Sequence, residues 1–173
     1  MAIPPRPYTQ PEIDELIACP KVVSDAPRRE MKKDRGHSRN DMKLKSTDDK
    51  FEFRVFMRRN EDFPENFSIG LAFLAKDGTG ELVLLRYNGP HGGYNDSFDP
   101  AHPHWDFHVH RASAEMIAAG LRPEKAATIS AEYASFEEAV QYFLRETNVT
   151  NAREYFADPA QGILQLRDEE LNQ

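Results

Sequence analysis

Apolar and polar residues alternate from Lys50 to Arg58. Phe51, Phe53, Val55 and Met57 fall on one side, and Glu52, Arg54, Phe56 and Arg58 on the other. Period two predicts a strand with one face on a core. Asn66 to Ala75 predicts a second strand, apolar on both faces and therefore central. Lys76-Asp77-Gly78-Thr79-Gly80 predicts a hairpin turn into a third strand, Glu81 to Asn88, so these two strands are antiparallel neighbours. A loop rich in Gly, Pro, Asn and Asp spans 89–103, and His104 to Arg111 alternates again as a fourth strand. Ala126 to Tyr133 predicts a fifth. Three helices complete the reading. The first opens at Thr9 with Glu12 at capping-box spacing and stops at Pro20; a short one covers 113–121; the last opens at Ser135 with Glu138 and shows Phe136, Val140, Phe143 and Leu144 on one face. Asn151 and Glu154 would cap one further turn. The pattern predicts one α+β domain over 1–173, a mainly antiparallel sheet of about five strands with helices packed on one face.

Composition adds a charge asymmetry. The chain has 173 residues, 39% apolar and 29% charged, and a formal net charge of −7. Residues 21–59 nevertheless hold 13 of the 22 Lys and Arg against seven acids, and 132–173 hold nine acids against three Arg. A basic stretch poor in apolar residues predicts an extended or mobile segment over 21–49. It also makes RNA or an acidic protein a partner to consider. With one Cys, Cys19, neither an internal disulfide nor a four-Cys zinc site is available. No signal peptide and no apolar run near 18 residues stand out, which leads to the expectation of a cytoplasmic protein without membrane spans.

Five of the six His lie between 91 and 110. On a strand, His104, Asp106, His108 and His110 share one face, and Trp105, Phe107 and Val109 take the core face. Two chemistries follow. His108 and His110 with His104 would hold a divalent metal such as zinc, with Asp106 as a further ligand or orienting an imidazole. Without metal, the same His would serve as general acid and base, since imidazole exchanges protons near neutral pH. Arg86 would then stabilise the charge of a phosphodiester in transition. Leu82 and Leu84 point to an apolar face that Arg86 and Asn88 continue, an inconsistency that marks both as site candidates. Asn88 and His91, with the following glycines, would contact substrate, and Arg54 and Arg58 would add positive charge if their face adjoins the His face.

Three stretches together carry a resemblance: Asn66-Phe67-Ser68-Ile69-Gly70-Leu71, Leu84-Leu85-Arg86-Tyr87-Asn88-Gly89-Pro90-His91, and Asp106-Phe107-His108-Val109-His110. They resemble a group of small bacterial proteins of unknown function, over roughly the central third of the chain. The resemblance implies a bacterial origin and no activity.

The residues support three functional expectations. The first is a small toxin-like ribonuclease or phosphodiesterase, with His104, His108, His110, Arg86 and Asp106 catalytic. The second is a non-enzymatic antitoxin, immunity or regulatory partner, for which the split charge and Phe56 would serve an interface. The third is a divalent-metal-dependent hydrolase using the same His.

Overall fold

The computed structural model describes residues 6–92, 103–122 and 125–157. Helix α1 (Gln10–Ala18) leads into strands β1 (Lys21–Asp25), β2 (Lys32–Asp34), β3 (His37–Ser46), β4 (Glu52–Asn60), β5 (Phe67–Ala75) and β6 (Gly80–Asn88). Then come a 3-10 turn (Pro103–Trp105), strand β7 (His108–Arg111), helix α2 (Ala114–Ala118), strand β8 (Ala127–Ile129) and helix α3 (Phe136–Glu146). Among the described residues the strands form one eight-stranded sheet in the order β1-β3-β4-β5-β6-β7-β8, with β2 paired to β3. Among the described residues every pairing between these strands is antiparallel, and Lys21 of β1 adds one isolated parallel bridge to Val149. The α+β class holds, and the sheet is larger than the expected five strands.

The extra strands come from the basic segment. β3 was hidden because its buried positions are Asn40, Met42, Leu44 and Ser46, so two of the four alternating inward residues are polar. Each polar one has a local partner. Asn40 exchanges hydrogen bonds with the Arg28 backbone, and Ser46 donates to Asp48 and accepts from the Phe51 amide. β2 and β3 join through Arg35 and Gly36, both at positive φ (51° and 82°), the two-residue geometry that matches strand twist.

The register sorts the sheet into two faces. Phe53, Val55 and Met57 of β4 lie opposite Phe73, Leu71 and Ile69 of β5, and Leu71 and Ile69 lie opposite Leu85 and Tyr87 of β6. This face carries the helices. Phe67 packs edge-on against Phe136 of α3, Tyr87 meets Phe143, and Tyr8, before α1, meets Phe73. Ile13, Leu16 and Ile17 of α1 and Ala139, Val140, Phe143 and Leu144 of α3 complete the core. Burying a large apolar side chain contributes roughly 1.5–3 kcal/mol. α1 begins where its sequence says. Thr9 accepts from the Glu12 amide, and Glu12 accepts from the Thr9 amide.

Candidate functional site

The second face of the sheet carries the polar chemistry, and one irregularity puts it there. Strict alternation would align Leu82 and Leu84 with Arg86 and Asn88. Instead Leu71 pairs with Leu85 and Ala72 with Val83, so Leu84 is an extra residue that bulges β6. A bulge shifts the side-chain phase by one. Leu82 stays on the helix face opposite Phe73, while Arg86 and Asn88 turn to the second face.

Register then sets two rows across that face. Phe56, Gly70, Arg86, His110 and Ala127 form one; Arg58, Ser68, Asn88, His108 and Ile129 form the other. Ser68, Gly70 and Ala72 are small residues within an otherwise bulky stretch, Phe67 to Leu74. Their smallness leaves space for the long side chains above them. Ser68 is a site residue that sequence reading passed over. Its hydroxyl accepts from Arg86 Nε at 2.6 Å and donates to Asn88 Oδ1 at 3.2 Å. The signal was available, since small residues alternate with Phe67, Ile69, Leu71 and Phe73.

Arg54 and Arg58 do share this face, but their charges are engaged elsewhere. Arg54 pairs with Glu81 and Asp41, and Arg58 with Asp41 and the Asn40 carbonyl. Three strand spacings separate the Cα of Arg58 from that of His108, about 14 Å. These arginines flank Phe56, whose ring covers Gly70, so that a Cβ there would meet the ring at 2.0 Å.

The predicted strand from His104 is shorter in the structure. Residues 103–105 turn as a 3-10 helix, and β7 begins at His108. Phe107 and Val109 do lie on the core side, and Phe107 packs on Phe67 and Tyr133. Trp105 does not, and it is 65% exposed. The turn breaks the two-residue period, so the phase read back from Val109 fails at that position. Asp106 is also exposed, and its backbone carbonyl, not its carboxylate, orients His108.

Four imidazoles nevertheless converge. His104 arrives from the turn, His108 and His110 from β7, and His91 from the loop after β6. The amides of His91 and Gly92 both donate to the His104 carbonyl, at 3.0 and 3.1 Å, which ties loop to turn. Ring centroids are 4.8 Å apart for His104 and His108, 5.0 Å for His91 and His108, and 5.1 Å for His91 and His104. His110 stands 5.0 Å from His108 and 5.5 Å from His104. His102 lies outside the described residues. The three imidazoles of the predicted row are enclosed, with His108 and His110 at most 1% exposed and His104 at 8%.

Tautomers follow from the partners. A carbonyl oxygen only accepts, so Nδ1 of His108 carries the proton it donates to Asp106 O at 2.8 Å. His110 and His91 donate from Nδ1 in the same way, to Ala126 O at 3.2 Å and Gly92 O at 3.3 Å. Nε2 of each is then a lone-pair donor. Nε2 of His108 is buried and has no hydrogen-bond partner. Burial, reinforced by the surrounding imidazoles, brings the His108 pKa down to about 3 and also lowers that of His91. The Arg86 charge further disfavours protonation of His91.

A ligand atom from each of His91, His104 and His108 lies within 4.8 Å of the others. Nitrogens bound to one zinc at about 2.0–2.1 Å sit roughly 3.3 Å apart, so a bound ion would draw these three closer than 4.8 Å. The metal set thus includes His91, a residue whose loop position alone points to substrate. His110 stands beside it, with Asn88 opposite His108 and Arg86 opposite His110 in the register. Such a cluster can hold a borderline-soft divalent cation and leave a coordination position open. No protein-family model, curated protein or solved structure matches this chain.

Proposed function

We propose that the protein is a divalent-metal-dependent hydrolase, with zinc held by His91, His104 and His108 and an anionic ester as substrate. The observation that carries this reading is Nε2 of His108, a buried lone pair without a partner, directed by a backbone hydrogen bond within a cluster of three imidazoles. Leaving a buried acceptor unsatisfied costs about 1–3 kcal/mol, a cost that a coordinated cation removes. Metal-ligating imidazoles commonly fix their tautomer by donating the other ring proton to a carbonyl, as His91, His108 and His110 do here.

Bound zinc would supply a water of lowered pKa. His110, adjoining the ligands without belonging to the closest set, would accept a proton from that water. Arg86, whose Nε donates to a Ser68 hydroxyl that in turn donates to Asn88, would hold the negative charge of the ester. In the metal-free acid–base reading His108 would not serve as the general acid, because burial brings its pKa down to about 3 and a general acid must carry a proton near working pH.

Elemental analysis of protein purified without a His tag tests the reading, alongside cleavage of bis-p-nitrophenyl phosphate. One zinc per chain, with activity lost to a chelator and restored by zinc, is expected. Cleavage that survives chelation of metal-free protein would return the site to acid–base catalysis.

A further inference from the structure

Trp105 is the only Trp in the chain, and it is left 65% exposed one residue from a buried His. A large aromatic face in water forgoes burial that folding would ordinarily use. Its ring is also held in place. A Cβ on Gly92 would sit 3.4 Å from Cη2 and Cζ3 of the indole, so the ring lies against the backbone of the His91–Gly92 loop. Gly92 has φ +59°, a conformation that L side chains rarely adopt, so the backbone favours glycine there. The indole thus spans the two segments that deliver His91 and His104, with its remaining surface open to solvent. On the sheet beneath, Arg86 lies opposite His110 in the register and adds a positive charge.

A flat apolar surface and a cation flanking one reaction centre match a ligand with a planar ring at one end and a phosphate at the other. We propose that Trp105 is the stacking platform for a nucleobase, so that the substrate of the three-His site is a nucleotide, free or within single-stranded RNA. This rests on reading the His cluster as the reaction centre for an anionic ester. Base stacking on an aromatic side chain is tolerant of base identity and responds strongly to removal of the ring.

The single Trp makes the test direct. Zinc-supplemented full-length protein is titrated with adenosine 5′-monophosphate, ribose 5-phosphate and a single-stranded oligoadenylate. Tryptophan fluorescence and calorimetry provide the readouts. Saturable quenching by the nucleotide, much weaker binding of ribose 5-phosphate, and about tenfold weaker nucleotide binding in W105A are expected. W105F should recover part of the affinity. Both variants should keep the zinc stoichiometry and thermal midpoint of the wild type, because the ring is largely exposed. Tighter binding of the oligonucleotide than of the mononucleotide places the nucleotide in a strand; equal binding makes it a free nucleotide. Stacking is overturned if W105A binds the nucleotide as tightly as the wild type does, if ribose 5-phosphate binds equally well, or if no probe binds. A protein that holds no zinc yet shows the base-dependent quenching would refute the metal reading and leave the platform standing.

Discussion

A single nitrogen carries most of the chemistry proposed for this chain, and its burial has a measurable consequence. Nε2 of His108 is enclosed without a partner. The metal-free protein therefore bears a desolvation cost that an apolar side chain would not. H108L removes that cost but orphans the Asp106 carbonyl, so in chelator its stability should fall within about 1 kcal/mol of the wild type. Zinc separates the two proteins. At zinc a hundredfold above its Kd, the wild type should gain about 2.7 kcal/mol from ligand linkage, and H108L far less. Denaturant melts with and without zinc measure both numbers. Equal zinc stabilisation of the two proteins would remove His108 from the metal set.

Elements place that nitrogen, and here glycine identity decides how much a strand tolerates. At Gly70 an added Cβ would meet the Phe56 ring at 2.0 Å, whereas at Gly89 it would meet the Glu65 carbonyl oxygen at 1.7 Å. A ring can rotate away; a backbone carbonyl moves only with its turn. G70A should cost about 1–3 kcal/mol, with much of it recovered in G70A/F56A. G89A should cost more and find no such rescue, and it should also displace the loop that carries His91. Urea melts of the three variants test the order. The same elements show what the sequence made legible. β4, the β5–β6 hairpin and the N-terminus of α1 were readable because alternation, an Asp-Gly turn and a capping box are local signals. β3 was not, since Asn40 and Ser46 take buried positions and so interrupt the apolar alternation. Leu84 looked inconsistent with Arg86 because a bulge has no single-residue signature. The His cluster was visible as composition, yet its membership depended on a 3-10 turn that carries His104 inward and Trp105 outward. His91 joins through backbone hydrogen bonds, donated by its own amide and that of Gly92 to the His104 carbonyl, that no spacing rule encodes.

Across the whole molecule, the charge asymmetry is answered in part by contact between its two ends among the described residues. Arg59 pairs with Glu137 of α3, while Arg54, Arg58 and Lys33 find their acids within the sheet and its turns. Pairs this exposed contribute about 0–1 kcal/mol each. The cation that ties the layers together is Lys21. It is fully buried over the Phe53 ring, and its Nζ donates to the carbonyls of Ile17, Cys19 and Thr147 at 2.7, 2.8 and 3.1 Å. Its amide donates to Asn148 O, and its carbonyl accepts from Thr150 N. One residue thus closes the C-terminal ends of α1 and α3 against the sheet, where carbonyl dipoles favour a positive charge.

K21M would leave those three carbonyls without a charged donor and should destabilise the fold by about 1–3 kcal/mol at neutral pH. The dependence on pH identifies the cause. Burial brings the Lys21 amine down to about 8 from an ordinary 10.5. Between those values the unfolded chain holds a proton that the folded chain has released, so this residue makes stability rise with pH across the interval. Below 8 both states are charged, and the contribution is flat. Tyr133 acts in the opposite sense above pH 10. Burial raises its phenol, so the unfolded chain loses a proton that the folded chain keeps. Because Tyr133 is common to both proteins, subtracting K21M from the wild type cancels it to first order. The difference in unfolding free energy should be constant from pH 6 to about 7.5 and then grow in favour of the wild type up to about 10.5. A difference that shrinks over that interval would mean the three carbonyls hold the ammonium more firmly than burial disfavours it, with a folded-state pKa above the unfolded one.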